Sequence, residues 1–238
     1  QNKAFIFAFL FLGSPLFIPM LFVNKYLAYG DFPLTVLMML ATIFFLCSLS
    51  SKKYLHIVLA LAFASFAACT KNEGLPFLLL ISGLLVISNI RSFYPRNVSL
   101  FSSYKKVLLW AALLSPNVLW AIYKQRHHLT VDFSLTNLAN SGMSIRVRLA
   151  TIRYLVWLYI STNPVFHWEV AALVLGAIGA IYKHSRESLY LLLLVAGMIA
   201  SYILSYVFSP YDLKFHILSS VDRLLTQLFP LILLLLET

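Results

Sequence analysis

S-P-Y-D-L-K-F-H-I-L-S-S-V-D-R, residues 209–223, places charged side chains and an imidazole between two long apolar runs. A helix that starts near Asp212 would carry its polar side chains every three or four residues, and therefore on one face. Polar groups cannot face hydrocarbon without partners, so this pattern predicts a face that lines a bundle interior or a water-filled cavity. A helix lying in the headgroup region is the alternative. We call this face the polar stripe; it comprises Asp212, His216, Ser219 or Ser220, Arg223 and Gln227.

The composition is that of a membrane protein with several spans. Of the 238 residues, 61% are hydrophobic and 11% are charged, and the mean hydropathy is +0.87. These values lie outside the usual range of soluble domains. The formal net charge of +10 would suggest nucleic acid in a soluble chain, but here the lysines and arginines form short clusters between apolar runs. We therefore expect topology signals and contacts with membrane lipids, and no nucleic-acid partner.

Apolar runs long enough to cross about 30 Å of hydrocarbon predict an all-α, polytopic transmembrane helical bundle with about eight spanning helices. A further run, Leu149–Ile160, is interrupted by Arg153 and ends at Asn163 and Pro164. The whole chain, 1–238, is predicted to be a single transmembrane domain. The predicted spans are Ala4–Val23, Pro33–Leu49, Tyr54–Cys69, Leu75–Ile90, Val107–Tyr123, Val170–Tyr182, Leu189–Phe208 and Leu224–Leu236.

The basic loops predict the topology of the bundle. Lysines and arginines cluster at 52–53, 91–106 and 183–186, which marks these loops as cytoplasmic under the positive-inside rule. Placing all three on one side forbids an odd number of crossings between the second and third loops. The run Leu149–Ile160 is therefore predicted to be an interfacial or re-entrant helix within an outer-face segment, 124–169. The arginines within and just before this run are predicted to meet lipid phosphates; they are Arg146, Arg148 and Arg153.

Two short polar segments on the predicted outer face are candidate site elements. In Y-G-D-F-P, residues 29–33, Asp31 directly precedes a predicted span. It is either a helix cap, which Pro33 at the first turn would suit, or a carboxylate at the mouth of a cavity. In T-K-N-E-G, residues 70–74, Lys71 and Glu73 stand where uncharged turn residues would suffice. They are either turn formers or groups that meet a charged partner such as a phosphate.

Several segments, in order, resemble the membrane glycosyltransferases of the GT-C class. They are S-P-L-F around Pro15, Y-L-A-Y-G-D-F-P-L at 26–34, C-T-K-N-E-G-L at 69–75, and residues 209–230, which extend the opening stretch to L-L-T-Q-L-F-P. The resemblance is to bacterial proteins similar to dolichyl-phosphate-mannose–protein mannosyltransferase and to the aminoarabinose transferase that acts on lipid A. It covers most of the chain as ordered landmarks.

The resemblance implies a polyprenyl-phosphate sugar as donor and a lipid, glycan or protein acceptor reached from the outer leaflet of the bacterial inner membrane. It also implies an acidic residue in a first outer loop, upstream of the part that matches 15–31. We therefore expect this chain to be a fragment that lacks the N-terminal part, with the principal catalytic carboxylate before Gln1. Asp31 corresponds to the family's second acidic position and Lys71 to the basic position of the T-K-x-x-G turn. Gly30 departs from the family, which often has Ala there.

Glycosyl transfer from a lipid phosphate needs a cation or a metal to stabilise the leaving phosphate, and a carboxylate to take the acceptor's proton. We predict that Lys71, Arg223 and His216 bind the donor phosphate. Asp31 is predicted to support catalysis and is the candidate ligand of a divalent metal ion. Further side chains predicted to line the cavity are Tyr29, Glu73, Asp212, Ser220, Asp222 and Gln227.

Two other functions remain open from the sequence. One is a multi-pass transporter or flippase for a lipid-linked or anionic substrate, whose intramembrane charges would line the substrate path. Such proteins commonly have two matching halves with broken helices, and the sequence shows no such symmetry. The other is a non-catalytic scaffold, which has no need of a polar stripe inside the bundle.

Overall fold

The computed structural model describes residues 31–51, 53–93, 100–127 and 143–238. Within these ranges the chain is all-α, as predicted. Its helices are α1 Asp31–Ser51, α2 Tyr54–Thr70, α3 Gly74–Phe93, α4 Leu100–Arg126, α5 Ile145–Thr162, α6 Pro164–Lys183, α7 Arg186–Val207 and α8 Leu213–Glu237.

Three of these helices, α1, α7 and α8, are long and apolar enough to cross a membrane. Helix α5 and the part of α6 from Phe166 onward meet at 112°, and this pair would add a fourth crossing if it forms one bent span. Such a bend is the geometry of a broken span or a re-entrant loop. The described residues thus form a helical membrane protein. The larger number of about eight spans stays a prediction, and its first run, Ala4–Val23, lies outside the described residues.

Local sequence explains where the helices near the polar stripe begin and end. Ser144 caps α5, Ser185 caps α7 and Asp212 caps α8, each accepting a backbone N–H with its side chain. These residue types are the preferred N-caps because they satisfy amide groups that have no partner within the helix. Pro164 opens α6, where its missing N–H costs nothing, and His184 ends that helix in the left-handed conformation, with φ 49°.

The chain groups into two compact units, residues 1–32 with 131–238 and residues 33–130. In the first unit, α7 and α8 run antiparallel, because Tyr202 bonds Gln227 and Tyr206 bonds Ser220. Helix α6 packs against α8, and a Cβ built on Gly176 would lie 3.1 Å from Leu235 Cγ. Asp31, at the start of α1, belongs to this unit.

The second unit contains a tight helical hairpin and a helix bonded to it. Helices α2 and α3 are joined by the turn at 71–73, and a Cβ built on Gly74 would lie only 2.1 Å from the Ala67 carbonyl oxygen, so this position requires glycine. Helix α4 is tied to α2 by polar contacts: Ser65 Oγ donates to the Leu113 carbonyl at 2.5 Å, and Asn117 Nδ2 donates to Ser65 Oγ at 2.6 Å.

Candidate functional site

The polar stripe of α8 turns partly into the interior of the first unit. Ser220 and Gln227 are buried, and His216 and Arg223 are partly buried. At these positions the prediction of an inward-facing polar surface is confirmed. Asp212 is exposed instead, because it precedes the helix and its carboxylate accepts the Phe215 N–H at 2.9 Å. The apolar residues of α8 are divided in the same way: Leu213, Ile217, Val221 and Leu228 are buried, whereas Phe215, Leu218 and Leu236 are exposed.

A buried carboxylate lies against the stripe. Asp31, the first residue of α1, is 0% exposed. Its Oδ1 accepts a hydrogen bond from Gln227 Nε2 at 2.6 Å, and its Oδ2 lies 3.5 Å from Arg223 Nη1. Tyr202 of α7 donates its hydroxyl to Gln227 Oε1 at 2.9 Å. We call these four side chains, Asp31, Tyr202, Arg223 and Gln227, the Asp31 cluster.

The order of donors in the Asp31 cluster determines its electrostatics. Because Tyr202 donates to the carbonyl end of the Gln227 amide, the amide's N–H₂ end points at Asp31. The carboxylate therefore faces one amide donor and one guanidinium, the arrangement that an ionised acid needs when it is removed from water. Arg223 is 19% exposed on its side chain, whereas Asp31 has no exposed surface. The cation of this pair is thus the member that a ligand could reach.

Among the described residues, the side chains bonded to Asp31 are a hydrogen-bond donor and a cation, neither of which is a metal ligand. Divalent metal ions take several oxygen ligands, whereas Asp31 faces the N–H₂ group of Gln227 and the positive charge of Arg223. Within the described ranges, no group of three or more His, Cys, Asp or Glu side chains is placed to hold a metal ion. Metal ligation by Asp31 stays a prediction, and no step proposed below depends on it.

A second polar group surrounds His216, which lies two turns before Arg223 on α8. His216 Nδ1 lies 2.7 Å from Ser209 Oγ, and its ring meets the ring of Tyr206 edge-on at 5.0 Å. Ser220 donates its hydroxyl to the His216 carbonyl at 2.6 Å, so the Tyr206 hydroxyl, 3.0 Å away, is the donor to Ser220. We call these residues, Ser209, Tyr206, His216 and Ser220, the His216 cluster. Its contacts fix the imidazole between α7 and α8.

Arg148 serves this region differently from the prediction. It is 4% exposed, and its guanidinium donates to the carbonyls of Val207 and Ser209, the latter at 3.2 Å. Val207 is the last residue of α7, so its carbonyl has no partner within that helix, and Ser209 follows in the connection to α8; the guanidinium satisfies both carbonyls. The expectation that Arg148 meets lipid phosphates is therefore wrong, because the side chain is buried and its two terminal nitrogens donate inside the protein. Arg146 and Arg153 are exposed, as that expectation requires.

The remaining predicted site residues are placed as follows. Lys71 and Glu73 belong to the second unit, where Lys71 Nζ lies 3.7 Å from Glu73 Oε1 in the turn between α2 and α3. Asp222 is partly buried, and its Oδ1 accepts the N–H of Arg223 at 2.8 Å. Tyr29 lies outside the described residues. The structure thus brings together Asp31, Arg223 and Gln227, and separately His216 and Ser220.

Two tyrosines complete these clusters and were not predicted. Tyr202 and Tyr206 lie four residues apart on α7, and both are buried with their hydroxyls toward α8. Their spacing in the sequence could have indicated them. Two tyrosines on one face of an apolar helix need hydrogen-bond partners for their hydroxyls if that face is buried. Their partners on α8 could not be read from the sequence alone.

No family model, curated protein or solved structure matches this chain.

Proposed function

We propose that this chain belongs to a membrane glycosyltransferase that moves a sugar from a polyprenyl-phosphate donor to a lipid, glycan or protein acceptor on the non-cytoplasmic face of the bacterial inner membrane. The observation that carries this proposal is the Asp31 cluster. A fully buried carboxylate is paired there with a partly exposed guanidinium, between helices apolar enough to span a membrane. Ionisable groups within membrane helices are costly and usually serve a function.

In this proposal Arg223 receives the donor's phosphate. A guanidinium binds phosphate oxygens through charge-assisted, often paired, hydrogen bonds, and its partial exposure gives a ligand access to it. His216 lies two turns earlier on the same face of α8, where it would meet the same phosphate or the sugar. Lys71, in the α2–α3 turn of the second unit, stays a predicted phosphate contact, and its Nζ lies 3.7 Å from Glu73 Oε1.

Asp31 is proposed to respond to the donor. When Arg223 turns to the phosphate, the positive charge beside Asp31 Oδ2 is withdrawn, and the carboxylate can accept a hydrogen bond from the acceptor's hydroxyl in its place. In the transfer step, the bond between the anomeric carbon and the phosphate oxygen breaks, and its electron pair leaves with the phosphate. The acceptor's hydroxyl oxygen forms the new bond to the anomeric carbon. Its proton passes to a carboxylate, for which Asp31 is the supporting candidate.

A transporter or flippase is the second candidate, and one observation favours it. Helix α5 meets the rest of α6 at 112° across a short break, and broken helices line the substrate sites of many transporters. The two functions differ in their products. An enzyme releases polyprenyl phosphate and a glycosylated acceptor, whereas a flippase moves the intact lipid between leaflets.

The test is donor use by Arg223→Gln in the full-length protein, reconstituted in liposomes with a panel of radiolabelled polyprenyl-phosphate hexoses and pentoses. Loss of one charge-assisted contact, worth about 1.5–3 kcal/mol, should lower donor use by about tenfold to a hundredfold. Lys214→Gln is the matched control, because Lys214 lies exposed on the same helix. Arg223→Lys keeps the charge beside buried Asp31, so its rate of donor use should lie between those of Arg223→Gln and Lys214→Gln.

If Arg223→Gln uses the donor at the wild-type rate, Arg223 does not bind the donor. If the intact donor is translocated without release of polyprenyl phosphate, the protein is a flippase and not a glycosyltransferase. Thermal unfolding of each variant in detergent shows whether a lost rate comes from a lost fold.

A further inference from the structure

Glu169 is a buried acid that the Asp31 cluster does not use. It lies in α6, five residues after Pro164 and close to the bend between α5 and α6. The residue is 2% exposed, whereas its neighbour Trp168 is 78% exposed and His167 is also exposed. The chain therefore turns this carboxyl inward while the adjacent side chains face outward.

The periodicity of α6 shows which surface carries Glu169. The buried positions Phe166, Glu169, Gly176 and Ala180 are separated by three, seven and four residues, the spacing of one helical face. Gly176 on this face packs against Leu235 of α8. Glu169 thus lies on the face of α6 that packs against α8, and it stands where an apolar side chain would be expected.

Neither carboxyl oxygen of Glu169 has a hydrogen-bond partner within the part of the chain that the structure describes. The charged groups of α6 itself and of the neighbouring helices face other partners or the outside. Arg148 donates with Nη1 and Nη2 to carbonyls at the end of α7, while its Nε has no hydrogen-bond partner among the described residues, and Arg223 pairs with Asp31. Lys183 donates to the Thr238 carbonyl, His216 meets Ser209, Asp222 accepts from the Arg223 N–H, and Arg186 lies over the Tyr190 ring. The remaining charged or titratable groups are partly or fully exposed: Arg146, Arg153, His167, His184, Glu187, Asp212, Lys214 and Glu237.

An ionised carboxylate in this position would be very costly. Burying a lone charge without a partner costs far more than burying a neutral polar group, and such a group takes up a proton instead. The positive end of the α6 dipole gives little relief, since that effect fades within the first turn and Glu169 is the sixth residue of the helix.

We propose that Glu169 is a proton-binding site in the interior of the first unit, occupied by a proton at neutral pH. Its ligand is the proton itself, and the site is separate from the donor site proposed for Arg223 and Asp31. Release of the proton requires water or a cationic group to reach the carboxylate. The nearby bend between α5 and α6 is the place where a movement of the helices would admit one. The proposal stands whether the protein is an enzyme or a transporter.

The experiment uses dicyclohexylcarbodiimide, an apolar reagent that attacks protonated carboxyls. The carboxyl proton passes to a carbodiimide nitrogen while the carboxylate oxygen bonds to the central carbon, and the adduct rearranges to a stable acylurea. The full-length protein in liposomes is treated at pH 7, and peptides are quantified by mass spectrometry. Glu187, in the first turn of α7 and partly exposed, is the internal control. Because the reagent attacks protonated carboxyls, Glu169 should react at least about a hundredfold more than Glu187.

An infrared difference spectrum between wild type and Glu169→Gln, in protein labelled with ¹³C-glutamate, reads the protonation state directly. The substitution should remove the carbonyl band of a protonated carboxylic acid. That loss supports the proposal even if the reagent fails to reach the site. Removal of an ionised-carboxylate band instead, whatever the labelling, would overturn it.

Discussion

At the scale of single residues, the first unit uses its few buried charges in distinct ways. Arg148 closes the end of a helix, and Arg223 balances a carboxylate. Both were visible in the sequence as cations near apolar runs, and the same expectation of phosphate contact was drawn for both. They differ in whether a backbone carbonyl or an acid lies within reach, which depends on how α5 and Asp31 pack within the first unit. The local pattern of residues along the sequence does not predict that packing.

Arg148→Met should destabilise the protein by about 1.5–3 kcal/mol, because it removes charge-assisted hydrogen bonds from the last carbonyls of α7. Arg146→Met is the matched control: Arg146 is exposed two residues earlier, so its loss should change stability by less than about 0.5 kcal/mol. Chemical unfolding in detergent, followed by tryptophan fluorescence, measures both. Equal stability of the two variants would mean that the guanidinium does not hold the end of α7.

The Asp31 cluster shows a second limit at this scale. Asp31 and Gln227 were both predicted as site residues, yet their hydrogen bond joins positions 196 residues apart. Pairing over such a separation depends on tertiary packing, which periodicity within one helix does not reveal. Because Asp31 pairs with Arg223, Asp31→Asn leaves the partly buried guanidinium without its carboxylate, so we expect this substitution to lower the stability of the protein as well.

At the scale of helices, the lengths of the apolar runs predicted the elements well. The apolar runs Pro33–Leu49 and Leu189–Phe208 lie almost entirely within α1 and α7, and α8 begins directly after Asp212, where the polar stripe was predicted to start. Capping residues and Pro164 explain the boundaries. The bend between α5 and α6 was indicated by Asn163 and Pro164, which end one helix and open the next.

The close approach of α6 and α8 can be tested at one glycine. Gly176→Leu should destabilise the first unit by about 1–3 kcal/mol, because a Cβ at this position would already lie 3.1 Å from Leu235. Gly179→Leu is the control, since a Cβ there meets nothing within 4 Å and the gain in helix propensity is the same. Thermal unfolding of the two variants is compared. A Gly176→Leu variant as stable as Gly179→Leu would contradict the packing of α6 on α8.

At the scale of the whole molecule, composition predicted a helical membrane protein, and the described helices agree. The number of spans and the orientation could not be read from helix length alone: α2 has 17 residues and is short for a span, and the α5–α6 pair is bent. Orientation rests on the distribution of basic loops. The orientation is therefore predicted from the effect of these charges on membrane insertion, and the packing of the helices within the protein does not determine it.

Cysteine labelling tests this orientation. With Cys47 and Cys69 replaced, single cysteines at Lys71 and Asp212 should react with an impermeant reagent added outside intact cells, and one at Lys183 should react only after permeabilisation. The first two sites are partly or fully exposed, and Lys183 is exposed at the end of α6, so each is accessible to a reagent on its side. Labelling of position 183 from outside would place the α6–α7 loop on the outer face and make the 145–183 pair a full crossing.

Sugar transfer by Asp31→Asn in the full-length, reconstituted protein tests the proposed function most directly. Asn removes the negative charge while keeping nearly the same shape, so transfer from the polyprenyl-phosphate donor should fall by about two orders of magnitude or more, the usual weight of a positioned acid–base group. Glu187→Gln, an acid of α7 outside the Asp31 cluster, should transfer at the wild-type rate. Asp31→Glu keeps the charge beside Arg223, so we expect it to retain the fold and to transfer sugar at a reduced rate. Comparison with Asp31→Asn then separates a loss of chemistry from a loss of fold. A folded Asp31→Asn protein that transfers sugar at the wild-type rate would contradict the proposal.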